Sequence, residues 1–390
     1  MQTFECPFGN FQLRRFPLRR RETLRAWDAA DEYLLSELAN GVSGRVLILN
    51  DRFGALSCAL AGHRPVMQSD SYLSTWSSRE NLVANGIDPH SVSLVDSLTP
   101  HQSDYDLVLV RVTKTLALLE DELIRLRPHL KPETRVIGAG MVKQIHRSTL
   151  ELFEKIIGPT HTSLARKKAR LIHATPDLSR PVPVSPYPVR YRLEGDDLEL
   201  VNHANVFSRD RLDIGTRLFI QHIPTDPALR DIVDLGCGNG VVGTLAARAN
   251  PGASIHFLDE SVMALASARA TYRGAGLANP ASFTLGDALG GLEQGSADLI
   301  LCNPPFHQGQ VVGDEIAWRM FSQSRRALRP GGELRIVGNR HLNYHVKLKR
   351  LFGNVKQVAA NRKFVVLSAW RRDRRSRPSL AFAAYVPPRT

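Results

Sequence analysis
Cysteine is scarce in this chain: four residues in 390, at Cys6, Cys58, Cys237 and Cys302. No two form a C-x-x-C pair, which argues against a zinc site or a disulfide framework and fits a reducing cytoplasm. Long apolar runs are missing too. None approaches the roughly 20 residues that a bilayer-spanning helix needs. The first residues carry aromatics and arginines but no apolar h-region, so no signal peptide is expected. Acidic residues are in deficit, with 38 Asp and Glu against 51 Lys and Arg, giving a net charge of +13. Such a balance speaks about partners rather than fold, and it points to polyanions, nucleic acid first. The cations cluster: Arg14, Arg15 and Arg19–Arg21 near the start, Arg166, Lys167, Lys168 and Arg170 in the middle, and Arg371, Arg372, Arg374, Arg375 and Arg377 near the end.

What is present is enough apolar sequence, 43% of residues, for two or three domains with cores of their own. Residues 1–22 read as an extended, basic lead-in. Leu24, Trp27, Leu34, Leu35 and Leu38 then fit one face of a helix over Thr23–Leu38. Short apolar runs at Val46–Leu49, Pro65–Ser69, Ser91–Val95 and Tyr105–Val112 predict strands. Helical stretches such as Ser77–Asn85 and Thr115–Leu126 separate them. Strands alternating with helices imply a parallel, doubly wound sheet, extended by Arg135–Gly138 and Lys167–His173. Five prolines between residues 174 and 190 mark a linker, because proline stiffens the chain and blocks regular pairing. Tyr191–Leu193 and Leu198–Asn202 flank Glu194-Gly195-Asp196-Asp197, a hairpin pattern.

The second half repeats the alternation. Strands are expected at Ile232–Leu235, Ser254–Leu258, Ala281–Leu285, Ala297–Cys302, Gly332–Val337 and Phe364–Ala369, with helices at Val241–Ala249 and Asp314–Leu328. Four strand ends recur between the halves at offsets of 185 to 192 residues: Asp51 with Gly236, Asp70 with Asp259, Asp96 with Asp287, Arg111 with Asn303. The expectation is a duplicated domain, divided as 1–188 and 189–390. The copies differ where chemistry would sit. Asn50-Asp51-Arg52-Phe53-Gly54 stands against a glycine loop, and Arg111-Val112-Thr113-Lys114 against Asn303-Pro304-Pro305-Phe306.

That loop, Asp234-Leu235-Gly236-Cys237-Gly238-Asn239-Gly240, follows a buried strand and opens a helix. Alternate glycines permit a tight turn and a close backbone approach to a ligand. Asp259 can accept from both hydroxyls of a ribose and Asp287 from an adenine amine, although each acid would equally serve as a helix cap. Two prolines after Asn303 make a rigid loop, so that the Asn303 amide oxygen and the Pro304 carbonyl can both accept from one planar amine. Phe306 offers a stacking face for a base. His307 suits a phosphate contact or a plain surface position.

These motifs together resemble the class I S-adenosylmethionine-dependent methyltransferases with an Asn-Pro-Pro-aromatic motif. The whole chain is similar to the bacterial ribosomal RNA guanine-N2 methyltransferases of the RsmC/RlmG type, large-subunit members foremost. Leu47–Ala59, Asn202–Gly215, Asp234–Gly240, Asn303–His307 and Asn339-Arg340-His341-Leu342 carry the likeness; the segment after Ala369 does not. The resemblance implies two tandem Rossmann-like methyltransferase domains, the first degenerate and RNA-binding. It implies S-adenosylmethionine held by Asp234, Gly236, Cys237, Gly238, Asn239, Gly240, Asp259, Asp287, Ala288 and Asn303, and methyl transfer to guanine N2 of 23S rRNA through Asn303, Pro304 and Phe306. A cytoplasmic monomer without metal or membrane attachment is expected. Small-subunit guanine, adenine N6, a protein glutamine amide and a non-catalytic RNA-binding role stay open as alternatives.

Overall fold
The computed structural model describes residues 1–18, 22–305 and 311–372. The first half runs β1 (Gln2–Cys6), β2 (Gly9–Leu13), α1 (Ala29–Glu37), β3 (Val46–Leu49), α2 (Ala55–Leu60), β4 (Val66–Ser69), α3 (Tyr72–Ala84), β5 (Ser93–Asp96), β6 (Tyr105–Arg111), α4 (Leu116–Leu126), β7 (Leu130–Met141), α5 (Arg147–Ile156), β8 (Thr160–Thr162) and β9 (Ala169–Ala174). The second runs β10 (Val189–Arg192), β11 (Glu199–Asn202), α6 (Ile214–Ile220), β12 (Asp231–Leu235), α7 (Val241–Ala249), β13 (Ser254–Asp259), α8 (Val262–Gly274), β14 (Ala281–Leu285), β15 (Ala297–Cys302), α9 (Val311–Ala327), β16 (Leu328–Asn339), α10 (Tyr344–Phe352), β17 (Lys356–Ala360) and β18 (Phe364–Trp370).

Each half builds a seven-stranded sheet, in the orders β5-β4-β3-β6-β7-β9-β8 and β14-β13-β12-β15-β16-β18-β17. The two orders are the same order. In each sheet six strands point one way, and β9 or β18, next to the edge strand, alone runs antiparallel to both its neighbours. The central strands β3 and β12 are buried nearly throughout, as their unbroken apolar runs require for a sheet covered on both faces. Residues 1–22 are not an extended lead-in. They contain the β1–β2 hairpin, the counterpart of β10–β11. The sequence hid it because Gln2–Cys6 and Gly9–Leu13 put few apolar residues inward, chiefly Phe4 and Leu13. The first helix starts only at Ala29, where the Asp28 carboxylate accepts from the Ala30 N–H; Leu24 lies outside it and is exposed.

Strand register corrects three of the four repeat pairs. Leu49 pairs with Val110 as Leu235 pairs with Cys302, which leaves Arg111 opposite Asn303 as expected. The Asn50 N–H donates to Gln68 O as the Gly236 N–H donates to Leu258 O, so Asn50, not Asp51, corresponds to Gly236. Ser69 pairs with Asp96 as Asp259 pairs with Leu285, so Asp70 and Asp96 do not match Asp259 and Asp287. Loops of slightly different length shift each count.

The prolyl segment between β9 and β10 is pinned rather than free. The Arg127 side chain donates to the carbonyls of Asp177 and Arg180, and the Tyr187 hydroxyl donates to Glu120 at 2.7 Å. The halves also meet directly. The N-termini of α3 and α8 pair about a local two-fold: the Tyr72 N–H donates to Glu260 O at 2.9 Å, the Val262 N–H to Asp70 O at 3.0 Å. The buried Asp70 carboxylate accepts from the Met263 N–H, the Ser261 hydroxyl and the Asn205 amide. No described helix is long and apolar enough to cross a membrane.

Candidate active site
Adjacent strands β12, β13 and β15 deliver their C-terminal loops to one edge of the second sheet. The site grows from the turn after β12. Gly236, Gly238 and Gly240 all have positive φ, at 70°, 54° and 76°. They serve different ends. A Cβ on Gly240 would lie 2.8 Å from the Cα of Ala268, so glycine lets α7 start against α8. A Cβ on Gly238 would meet none of the described residues within 4 Å. Here the protein's own packing leaves open space beside a backbone bend, a shape suited to a ligand lying along the loop.

The acids hold that loop from below and beside. The Asp234 carboxylate is buried and accepts from the Gly243 N–H at 2.8 Å; burial pushes its pKa up to about 8. Asp259 accepts from the Gly238 N–H at 2.9 Å and the Ser261 N–H at 3.0 Å. Burial raises its pKa while those two donors pull the other way. Ser261, not Asp259, caps α8. Each Asp259 oxygen therefore takes one backbone donor and keeps acceptor capacity for a diol. Cys237 is buried and Asn239 ties the turn to the β10–β11 hairpin through Asn202 at 2.9 Å. Asp287 pairs with Arg319 at 2.7 Å, a partner the sequence did not announce, and Ala288 follows with φ of 50°.

Asn303 follows β15, beside the strand that ends in the glycine turn. Its Nδ2 donates to the Thr216 hydroxyl at 2.9 Å, while its Oδ1 is buried and has no partner among the described residues. An unpaired buried acceptor is expensive unless something fills it. Pro304 is buried behind it. Phe306 and His307 lie outside the described residues. Arg371 of the last basic cluster is engaged by the carbonyls of Arg326 and Leu328, and Lys167 pairs with Glu32 at 2.8 Å. Of the other expected cations, Arg19–Arg21, Arg374, Arg375 and Arg377 fall outside the described residues.

Residues 1–178 match the RLMG N-terminal domain family and residues 197–368 the methyltransferase small domain family. The ribosomal RNA large subunit methyltransferase G of Streptomyces coelicolor is 56% identical, over 93% of this chain and 98% of its own length. That of Pseudomonas aeruginosa PAO1 is 54% identical, over 95% and 100%. The chain belongs to the ribosomal RNA large subunit methyltransferase G family. Among solved structures, the T. thermophilus 16S rRNA N2 methyltransferase RsmC, in complex with AdoMet and guanosine, superposes with a TM-score of 0.74 at 21% identity. The match spans 95% of this chain and 98% of that one, a likeness of fold through both halves.

Two residues at the family's glycine-and-asparagine edge carry no role in the sequence reading. Asp213 caps α6, accepting from the Thr216 N–H at 2.8 Å and the Thr216 hydroxyl at 3.2 Å. The signal was Asp-x-x-Thr at a helix start. Nothing in that pattern says that Thr216 faces Asn303, 87 residues away.

Proposed function
We propose that this methyltransferase uses S-adenosylmethionine to methylate the exocyclic N2 of a guanine in large-subunit (23S) ribosomal RNA, in the cytoplasm. The observation that carries the reading is the unpartnered Asn303 Oδ1 at the edge of the glycine turn. The cofactor fits the residues present. The open flank of Gly238 accommodates its chain, and the free acceptor capacity of Asp259 suits its ribose. S-adenosylmethionine supplies an electrophilic methyl on a positive sulfur. This chain's part is to orient the acceptor nitrogen. The N2 lone pair of guanine is delocalised into the ring. Asn303 Oδ1, with the Pro304 carbonyl, accepts the amine hydrogens, turns the lone pair toward the methyl and stabilises the positive charge that grows on nitrogen. The new N–C bond forms as the S–C bond breaks, and the cationic amine gives its proton to water. No strong base is needed. Phe306 is the proposed platform for the extruded base.

The test is methylation of 23S rRNA lacking this modification, followed by nuclease digestion and mass spectrometry. N2-methylguanosine is expected. N6-methyladenosine, or label in protein, overturns the substrate. Asn303→Ala should lower turnover by about 10²–10³-fold and leave cofactor binding, read by calorimetry, nearly unchanged.

A further inference from the structure
We infer that Thr216, braced by Asp213, is the positioning residue that fixes which way the Asn303 amide points. This rests on the proposed role of Asn303. A primary amide offers an oxygen on one side and an NH2 on the other. Only the oxygen suits a target amine; a half-turn about the side chain would set donor against donor. Two bonds decide the matter. Asp213 accepts only, so the Thr216 hydroxyl, 3.2 Å away, donates to it. That hydroxyl is then an acceptor toward Asn303, and the Asn303 Nδ2 lies 2.9 Å from it. The amide oxygen is left on the opposite side, buried and unpaired among the described residues. The order carboxylate, hydroxyl, amide, target amine has one consistent polarity, and each link strengthens the next. Thr216 is itself buried, so water does not readily replace its hydroxyl.

The corresponding positions in the first half support the reading by contrast. There Asp28 caps α1, with Asp31 three residues on, and Arg111 stands where Asn303 does. Arg111 ion-pairs with both acids at 2.9 Å. The same three sites can thus hold a closed set. The threonine and asparagine of the second half leave one acceptor open.

Thr216→Val in the full chain keeps the backbone N–H that Asp213 caps and removes only the hydroxyl. Turnover on 23S rRNA should fall by about 10–100-fold. Cofactor affinity by calorimetry should stay within about twofold, and Thr216→Ser should restore turnover to within about threefold. On an Asn303→Ala background Thr216→Val should have no further effect, because there is no amide left to orient. A merely structural role would lower turnover equally on both backgrounds. That result, or a Thr216→Val enzyme with wild-type turnover, overturns the inference. Thermal unfolding reports on folding. If Thr216→Val does not fold, Thr216→Ala is read by the same criteria. A wild-type product other than N2-methylguanosine would instead overturn the substrate assignment, while the response of turnover to Thr216 is read independently.

Discussion

The two halves share a strand order but treat the same cleft in opposite ways. After the first strand of each sheet, Gly54 and Gly240 both open a helix with positive φ, and a Cβ on either would strike the Cα of the next helix, at Ser78 or Ala268. Glycine survives in both because helix packing needs it. At the preceding positions the halves part. Where the second has Gly236, the first has Asn50, whose buried Nδ2 donates to both oxygens of Glu122 at 3.0 and 2.9 Å. Where the second has Gly238 with open space beside it, the first has Arg52. Asp51, next to Asn50, takes over the task that Asp234 performs from the strand: it accepts from the Ser57 N–H at 2.7 Å. Arg111 completes the closure against Asp28 and Asp31. The glycine that helix packing demands is kept in both halves, and where the second half has Gly236 and Gly238 the first carries side chains that make hydrogen bonds and ion pairs.

The comparison breaks most visibly at Arg111. Arg111→Met leaves the buried Asp31 beside Asp28 without a cation. Removing one partner of a buried ion pair costs about 3–5 kcal/mol. Chemical denaturation should show that loss, with cofactor binding in the second half retained in native buffer. An unchanged stability would mean that the closed set is not what holds the first cleft. The second half is probed at Asp259. Asp259→Ala removes the acceptor facing the proposed ribose and also releases the Gly238 N–H. Cofactor affinity should fall by about 2–4 kcal/mol in a titration that gives one site per chain for the wild type. Two sites per chain would show the first cleft to be open after all.

The effect that shows only as a dependence on pH concerns Glu122. Burial pushes its pKa up to about 8, from an ordinary value of 4.5, with the Asn50 amide acting in the other direction. In the unfolded chain this carboxyl loses its proton near pH 4.5, in the folded chain near 8. Between those values the unfolded state has released a proton that the folded state still holds, so stability falls as pH rises through the window and levels off above it. Glu122→Gln removes that titration. Melting temperature should depend less on pH between 5 and 8, and the variant should gain relative to the wild type at the alkaline end. An identical pH profile would show that Glu122 is ionised in the folded protein.

Much of this was legible in the chain. The runs at Val46–Leu49 and Ala297–Cys302 mark their strands to the residue, because strands buried in a parallel sheet are largely apolar; Ala281–Leu285 also coincides with its strand, although β14 is a largely exposed edge strand. The glycine turn and the Asn-Pro-Pro loop announced themselves through residue types that ordinary loops do not require. The β1–β2 hairpin did not, since its pattern is mostly polar, and besides Phe4 and Leu13 it is tied down by the distant α3 side chains Asn85 and Asn81, which bond the backbone of Gln12 and of Arg14 just after it. The repeat offsets could not be trusted to the residue, because register is set by strand pairing and not by counting loops.

By itself the sequence determined the alternation of strands and helices, the duplication, the basic charge and which loop could run beside a ligand. These follow from local patterns, since periodicity, glycine and proline act within a few residues. The tertiary structure decided which atoms of those loops are already engaged. It bonds Asp234 to Gly243, Asp287 to Arg319 and the Asn303 NH2 to Thr216, and leaves Asn303 Oδ1 without a partner among the described residues. Hydrogen-bond satisfaction depends on groups brought together from distant parts of the chain, and a linear pattern does not hold that information.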